Sequence, residues 1–277
     1  MPQRSVIRVS AGAFTHWYVR ELCSATVLPH ASVRNVLHAS AVQPLSRSGT
    51  VLTTLACPTA LFRALAVCAR AVSYFNLKAR GEPTRLALVI GKVPFEDWRL
   101  PAFDQWPAMK PTTRWGQLPE LTVGEGDSEL VFAQGDAMLR YAGKLTGLYP
   151  TDDLEALRVD EFLGAVEDVR MQIVPSVREK DAEKKAAMRK ALDEETLPMW
   201  LGKFDGFIGT NGGTYLAKSG GKPALTIADL GLYALMSWLT GGVLDGVSTD
   251  WSRFANITAM CAAISAIPEV AEFEAAK

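Results

Sequence analysis

The sequence predicts a small α/β domain followed by an all-helical one, and three observations predict it. From Ala71 to Leu145, short strand and helix patterns alternate in the order βαβα and then ββα. At Leu148-Tyr149-Pro150-Thr151-Asp152-Asp153 the composition shifts, and no strand pattern follows. Beyond it, Leu157, Phe162, Val166, Val169 and Ile173 fall on one face of a long helix. The 277 residues suffice for two modest domains.

The elements follow in order. Ala71–Phe75 reads as a first strand ending on Tyr74. Glu82–Gly91 is an apolar-faced helix with Pro83 at its start and Gly91 as its stop. Phe95–Leu100 is a second strand, and Phe103–Met109 a short helix or turn closed by Lys110-Pro111. Glu120–Val123 and Glu129–Phe132 flank Gly124-Glu125-Gly126-Asp127-Ser128, the spacing of a β-hairpin. Ala133–Leu145 is the next helix. Leu154–Arg178 and Asp181–Lys203 are long helices, the second charged at its start and kinked or restarted at Pro198. Residues 205–225 are Gly-rich and expected to be loop. Thr226-Ile227-Ala228-Asp229 is a capping-box variant opening an apolar helix through Leu239. Asp250–Ile264 and Pro268–Ala276 complete the helical half.

Charge and composition narrow the chemistry. The net charge of −1 gives no electrostatic argument for nucleic acid or a membrane surface. No run of about 18 apolar residues marks a transmembrane helix. The average conceals an asymmetry. Residues 1–70 carry seven Arg against one acid, Glu21, a net of +6, and the remainder carries −7. All three histidines and three of the four cysteines also lie in those 70 residues. Beyond them stands Cys261 alone, so a Ser-His-Asp triad, a Cys-His pair and a His- or Cys-rich metal site are excluded there. No disulfide framework is visible, as in proteins of a reducing compartment.

The Arg-rich, Ser/Thr-rich and acid-poor residues 1–70 read as a targeting extension. Val6, Val9, Phe14, Trp17 and Tyr18 fall near one helical face with Arg4, Arg8 and Arg20 between them, which suits a mitochondrial presequence. Plastid import is the rival, and an upstream start the remaining alternative, because the next methionine is Met109. The expected location is an organelle if the extension is an address, and the cytoplasm otherwise. The domains expected are therefore 1–70, 71–148 and 153–277.

The chemistry centres on Tyr74-Phe75-Asn76-Leu77-Lys78-Ala79-Arg80-Gly81-Glu82-Pro83-Thr84-Arg85, a strand ending on a phenol, then a loop past two cations into a helix. A strand-end tyrosine often does no more than close a core. Three further blocks add to it: Trp106-Pro107-Ala108-Met109-Lys110-Pro111-Thr112-Thr113, Gly116-Gln117-Leu118-Pro119, and Phe132 through Tyr141, which contains Gln134-Gly135-Asp136. With these four blocks in this order and spacing, residues 71–277 resemble cytosolic glutathione transferases. The likeness is greatest to the sigma class, which includes glutathione-dependent prostaglandin D synthases.

The resemblance implies a thioredoxin-like domain followed by a helical domain, and an enzyme that conjugates glutathione to small apolar electrophiles in detoxification. It implies a homodimer, glutathione as co-substrate, and no metal. Tyr74 matches the catalytic tyrosine. A free thiol ionises near pH 8.5, and a phenol that donates to the sulfur favours the thiolate while itself remaining protonated. Arg80 matches an arginine that supports the thiolate. Trp106 and Lys110 match the pair holding the glycyl carboxylate. Leu118-Pro119, after Gln117, matches a cis-proline turn whose Leu118 backbone groups pair with the ligand. Gln134 and Gly135 match the helix start that holds the γ-glutamyl carboxylate. The family usually has Ser at the second position, so the hydroxyl contact is absent and weaker glutathione binding is expected. Asp136 adds a charge there or approaches the ligand's ammonium.

The electrophile is expected between the Tyr74 loop and the first long helix of the second domain, with Val166, Arg170 and Met171 as candidates and Trp238 as another. Lys78 and Arg114 are expected to be solvated, Glu82 to pair with a cation, and Asp181 to pair with Lys185 along their helix. Two other activities remain in view. One is isomerisation by the same thiolate. The other is noncatalytic carriage of glutathione or a hydrophobic ligand, which Gly135 keeps open. A thiol-disulfide oxidoreductase is discounted, because no cysteine lies near positions 74–77.

Overall fold

A computed structural model describes residues 70–276, which lie within one compact unit. The targeting extension expected at the N-terminus lies outside the described residues, Arg70 excepted. The first half is a four-stranded sheet with helices against it. Strand β1 (Arg70–Phe75) runs parallel to β2 (Glu96–Leu100), with Tyr74 opposite Arg99. On its other side β1 pairs antiparallel with β3 (Glu120–Val123), which pairs antiparallel with the edge strand β4 (Leu130–Ala133). The order is therefore β2-β1-β3-β4. The crossover between the parallel strands is helix α1 (Glu82–Ile90), as parallel pairing requires. A short helix α2 (Trp106–Met109) follows β2, and helix α3 (Gly135–Thr146) follows β4 and packs on α1. α3 ends at Gly147 with φ 76°, a left-handed stop that glycine adopts without steric cost.

The second half, expected to be all-helical, is helical apart from a two-stranded antiparallel hairpin of Lys218–Ser219 and Lys222–Pro223: α4 (Asp153–Arg178), α5 (Ala182–Ala191), α6 (Leu197–Thr210), α7 (Ile227–Thr240), α8 (Ala255–Ser265) and α9 (Pro268–Ala275). Asp152 caps α4 by accepting from the Leu154 and Glu155 amides at 3.1 and 3.0 Å. The apolar stripe read in α4 faces inward: Val159, Phe162, Val166, Val169 and Ile173 are buried against α7 and its neighbours. Leu157, which was placed on that stripe, is 64% exposed. α7 is the most enclosed helix, and its capping box is present in full. The Asp229 carboxylate accepts from the Thr226 amide at 2.8 Å and hydroxyl at 2.9 Å, and from the Leu216 amide at 2.7 Å. One apolar core runs from the sheet through α1 and α3 into α4, α6 and α7.

The restart expected at Pro198 is present, and two other expectations are corrected. The helix through Pro198 is divided by a π-helical turn over Leu192–Thr196. Pro198 then sits in the first turn of α6, where its missing N–H costs no internal bond. α6 extends to Thr210, into the stretch expected to be loop, because Phe204 and Ile208 bury their side chains against the core. Asp181 caps α5 through the Lys184 amide at 2.9 Å, and Lys185 pairs instead with Asp245 at 3.3 Å.

Candidate active site

Tyr74, the penultimate residue of β1, has 5% of its surface exposed. Two features lock its ring. Gly81 lies against it so closely that a Cβ there would stand 2.7 Å from ring Cγ. The Arg85 guanidinium lies over the ring, 5.7 Å from the centroid. Arg85 is wholly buried. Its Nε donates to Asp97 at 2.7 Å and its Nη1 to Glu82 at 3.2 Å, while Arg99 donates to Asp97 at 2.8 and 2.9 Å. The pairing expected of Glu82 is thus present, and the second acid, Asp97, had no signal in the sequence. Arg85 Nη2 has no hydrogen-bond partner, and the ring face beneath the guanidinium supplies part of its compensation.

Burial pushes the Tyr74 hydroxyl above its ordinary value. A hydrogen bond from the Arg80 backbone, and then the Arg80, Arg170 and Arg85 charges, act the other way without reversing the shift. The phenol therefore stays protonated at neutral pH. It keeps its own proton to donate.

The Arg80 side chain turns toward the helical half. Its Nη2 is 2.5 Å from Glu167 Oε1, and its Nε lies 3.2 and 3.3 Å from the two carboxylate oxygens. This forked pairing, with Glu167 on α4, joins the Tyr74 loop to the second half of the molecule. Burial lowers the Arg80 pKa and the Glu167 contacts raise it, with a net upward shift. Lys78, expected to be solvated, is 2.7 Å from Glu274 on α9, so both cations of the loop are tied to C-terminal helices.

The other residues named from the sequence surround this centre. The Leu118-Pro119 peptide bond is cis. Gln134 precedes α3 with φ 74° and ψ 106°, a conformation uncommon for a residue with a side chain and costing about 1–3 kcal/mol. Such strain is concentrated at functional sites. Gly135 opens α3, where the first-turn amides have no carbonyl one turn back to bond. A Cβ on Gly135 would lie 3.1 Å from the Arg80 carbonyl and 3.7 Å from Pro119 Cγ, so three of the sequence blocks meet there. Asp136 follows, its pKa raised by burial. Trp106 packs edge-on against Phe75, ring centroids 5.2 Å apart, and Lys110 and Gln117 are exposed.

The three electrophile-site candidates divide. Met171 is 56% exposed and places its sulfur 3.8 Å from Arg80 Nη2. Val166 is fully buried in the core and Arg170 is 5% exposed, so neither presents a surface to a substrate. Their position on the inner face of α4 explains this, because helical spacing alone does not tell pocket from core. Trp238 is partly buried against the core.

Residues 167–277 match the family model described as glutathione S-transferase, C-terminal domain. The chain is 37% identical over 168 residues to a glutathione S-transferase of Anopheles gambiae, an alignment covering 61% of this chain and 78% of that one. The chain belongs to the glutathione S-transferase family. A second family member, glutathione S-transferase 1 of Ascaris suum, is 34% identical over 171 residues, covering 60% of this chain and 79% of the relative. Among solved structures, the prostaglandin synthase D of Nilaparvata lugens superposes with a TM-score of 0.64 at 30% identity, covering 75% of this chain and 97% of that one. A sigma-class transferase of Fasciola hepatica shares the fold with a TM-score of 0.64 at 22% identity, covering 76% and 97%. In this chain an α/β domain bearing Tyr74 precedes a helical domain.

Proposed function

We propose that this glutathione transferase ionises the thiol of glutathione with the Tyr74 hydroxyl and conjugates the thiolate to small, largely apolar electrophiles. One observation carries the reading. Tyr74 is a buried phenol that its burial keeps protonated beside the Arg80, Arg170 and Arg85 charges, so it can donate to an incoming sulfur. A hydrogen bond donated to the thiolate and absent from the thiol lowers the thiol's pKa. The surrounding donors fit the ligand's anionic groups. The first-turn amides of α3 at Gly135 suit one carboxylate, and the Trp106 indole and Lys110 ammonium suit the other. Gln134, with its strained backbone, Leu118 beside the cis bond and Gln117 complete the binding set. Met171 borders the electrophile on the helical side.

The likeness to a prostaglandin synthase D favours one further reading, glutathione-dependent isomerisation. It uses the same thiolate and returns glutathione unchanged, so glutathione consumption per product separates the two.

A homodimer is supported by the edge strand. Leu130 and Phe132, on one face of β4, are 58% and 47% exposed, an apolar edge that isolated chains seldom leave open. Sedimentation of the purified protein tests this, and a monomer at micromolar concentration contradicts it. The basic, acid-poor residues 1–70 support an organellar address. A reporter fused to them should localise to mitochondria or plastids, and diffuse cytosolic signal contradicts the address.

The test of the enzymatic reading is retention on immobilised glutathione, together with conjugation of a generic aryl halide by wild type and Tyr74→Phe. Retention with turnover that falls in the variant supports it. Retention without turnover indicates a carrier, and equal turnover removes Tyr74 from the chemistry.

A further inference from the structure

Arg170 is a buried cation that the reaction as described so far does not use. It lies on the inner face of α4, its side chain 6% exposed, between the Tyr74 loop and α7. Its Nη2 donates to the Gly231 carbonyl on α7 at 3.1 Å. Its Nη1 stands 3.7 Å from Glu167 Oε2, while the same carboxylate is gripped by Arg80. Glu167 thus lies between two guanidinium groups, one on the loop of the catalytic phenol and one in the helical core. Gly231 permits this arrangement. A Cβ there would stand 3.0 Å from Leu163 Cδ2 on α4, so a larger residue would require that side chain to give way.

Folding alone gives no reason for a charge at this position. Enclosing a cation in a helix–helix interface costs several kcal/mol before compensation, and an apolar side chain of similar volume fills such a site at no electrostatic cost. Its surroundings suggest another purpose. The charged and titratable groups facing Arg170 are Tyr74 from β1, Arg80 from the β1–α1 loop, Asp136 from α3 and Glu167 from α4, while α7 presents the neutral Gly231 carbonyl. Two cations and two carboxylates balance beside the phenol. Without Arg170 the cluster is net negative, and a thiolate would have to form against that charge.

We propose that Arg170 is a positioning residue of the thiolate site: by sharing Glu167 it offsets the charge that otherwise cancels Arg80, leaving Arg80 free to favour the sulfur anion. The inference rests on the reading of Tyr74 given above. Burial lowers the Arg170 pKa, opposed first by Glu167, and Arg170 favours the ionised form of Tyr74, as a cation within range of the site must.

The test is the pH profile of aryl-halide conjugation by the full-length protein for wild type, Arg170→Met, Arg170→Lys and Tyr74→Phe, with thermal melting of each. Arg170→Met keeps the volume and removes the charge. Its acidic limb should move up by about one pH unit, a loss of about tenfold in kcat/KM below the limb that shrinks toward high pH. Arg170→Lys should recover most of the loss, and melting should not track it. A loss equal at every pH, or an unshifted profile, overturns the role. The Tyr74→Phe arm separates the failures. An unshifted Arg170→Met beside an impaired Tyr74→Phe overturns Arg170 alone, whereas an unimpaired Tyr74→Phe overturns the reading beneath it.

Discussion

Two ionic networks flank Tyr74, and they differ in almost every respect. Arg85, Glu82, Asp97 and Arg99 form one beneath the ring, within the first domain, with Arg85 and Glu82 shut off from water. Arg80, Glu167 and Arg170 form the other on the hydroxyl side. It crosses from the β1–α1 loop to α4, and Arg80 and Glu167 are each about one-third exposed. The first is closed and neutral within one domain, so it fixes where the phenol sits. The second is open to solvent and to ligand, so it sets the charge the phenol works in. The Arg80–Glu167 pair is open to solvent where the Arg85 pairs are enclosed, although Arg170 behind it is buried.

Breaking the closed network should have the largest effect. Arg85→Met removes the buried cation that Glu82 and Asp97 share and should cost about 3–5 kcal/mol in denaturant unfolding. A loss under about 1 kcal/mol, the range of exposed pairs, would erase the distinction between the networks. Asp229 tests whether a closed cluster held by hydrogen bonds alone behaves in the same way. Burial pushes this carboxyl up to about 6 despite three donated hydrogen bonds. Its folded value lies above that of the unfolded chain, so its contribution is present below about pH 4 and lost as pH rises through about 6. Wild type should therefore lose about 2–3 kcal/mol across that window relative to Asp229→Asn, measured by unfolding at a series of pH values.

The open network should respond in turnover instead. Arg80→Gln should lower kcat/KM by about tenfold to a hundredfold while shifting stability by under about 1 kcal/mol, because a pair one-third exposed is screened by water. An equal fall in stability would make it a second structural network. The smallest effect is expected at Gly135→Ser. The hydroxyl supplies the contact missing here, but its Cβ meets the Arg80 carbonyl at 3.1 Å and that backbone must yield. Glutathione KM should fall by no more than about threefold, since the displacement of that backbone offsets most of the roughly 1.5–3 kcal/mol that a hydroxyl's hydrogen bond to a charged carboxylate is worth. A tenfold fall would mean that Arg80 moves freely.

Much of this was legible in the sequence, and the reasons for the rest are specific. Strand and helix order followed from periodicity, and the blocks at Tyr74, Trp106, Leu118 and Gln134 were placed by resemblance. What escaped depends on distance in space. Lys78 and Glu274 lie 196 positions apart, and the Arg80–Glu167 pair spans 87, so no local pattern joins them. Arg170 was legible as a candidate but not in its role, because spacing places it on α4 without saying that its head enters the core. Gly81 gave no signal: it is required by the Tyr74 ring that packs against it.

The central claim is that the Tyr74 proton makes the thiolate. It is tested most directly by titrating the ultraviolet absorbance of glutathione bound to wild type and to Tyr74→Phe. Bound thiol should ionise below the free-thiol value of about 8.5 in wild type and return toward it in the variant. Identical titrations of the two proteins would contradict the account.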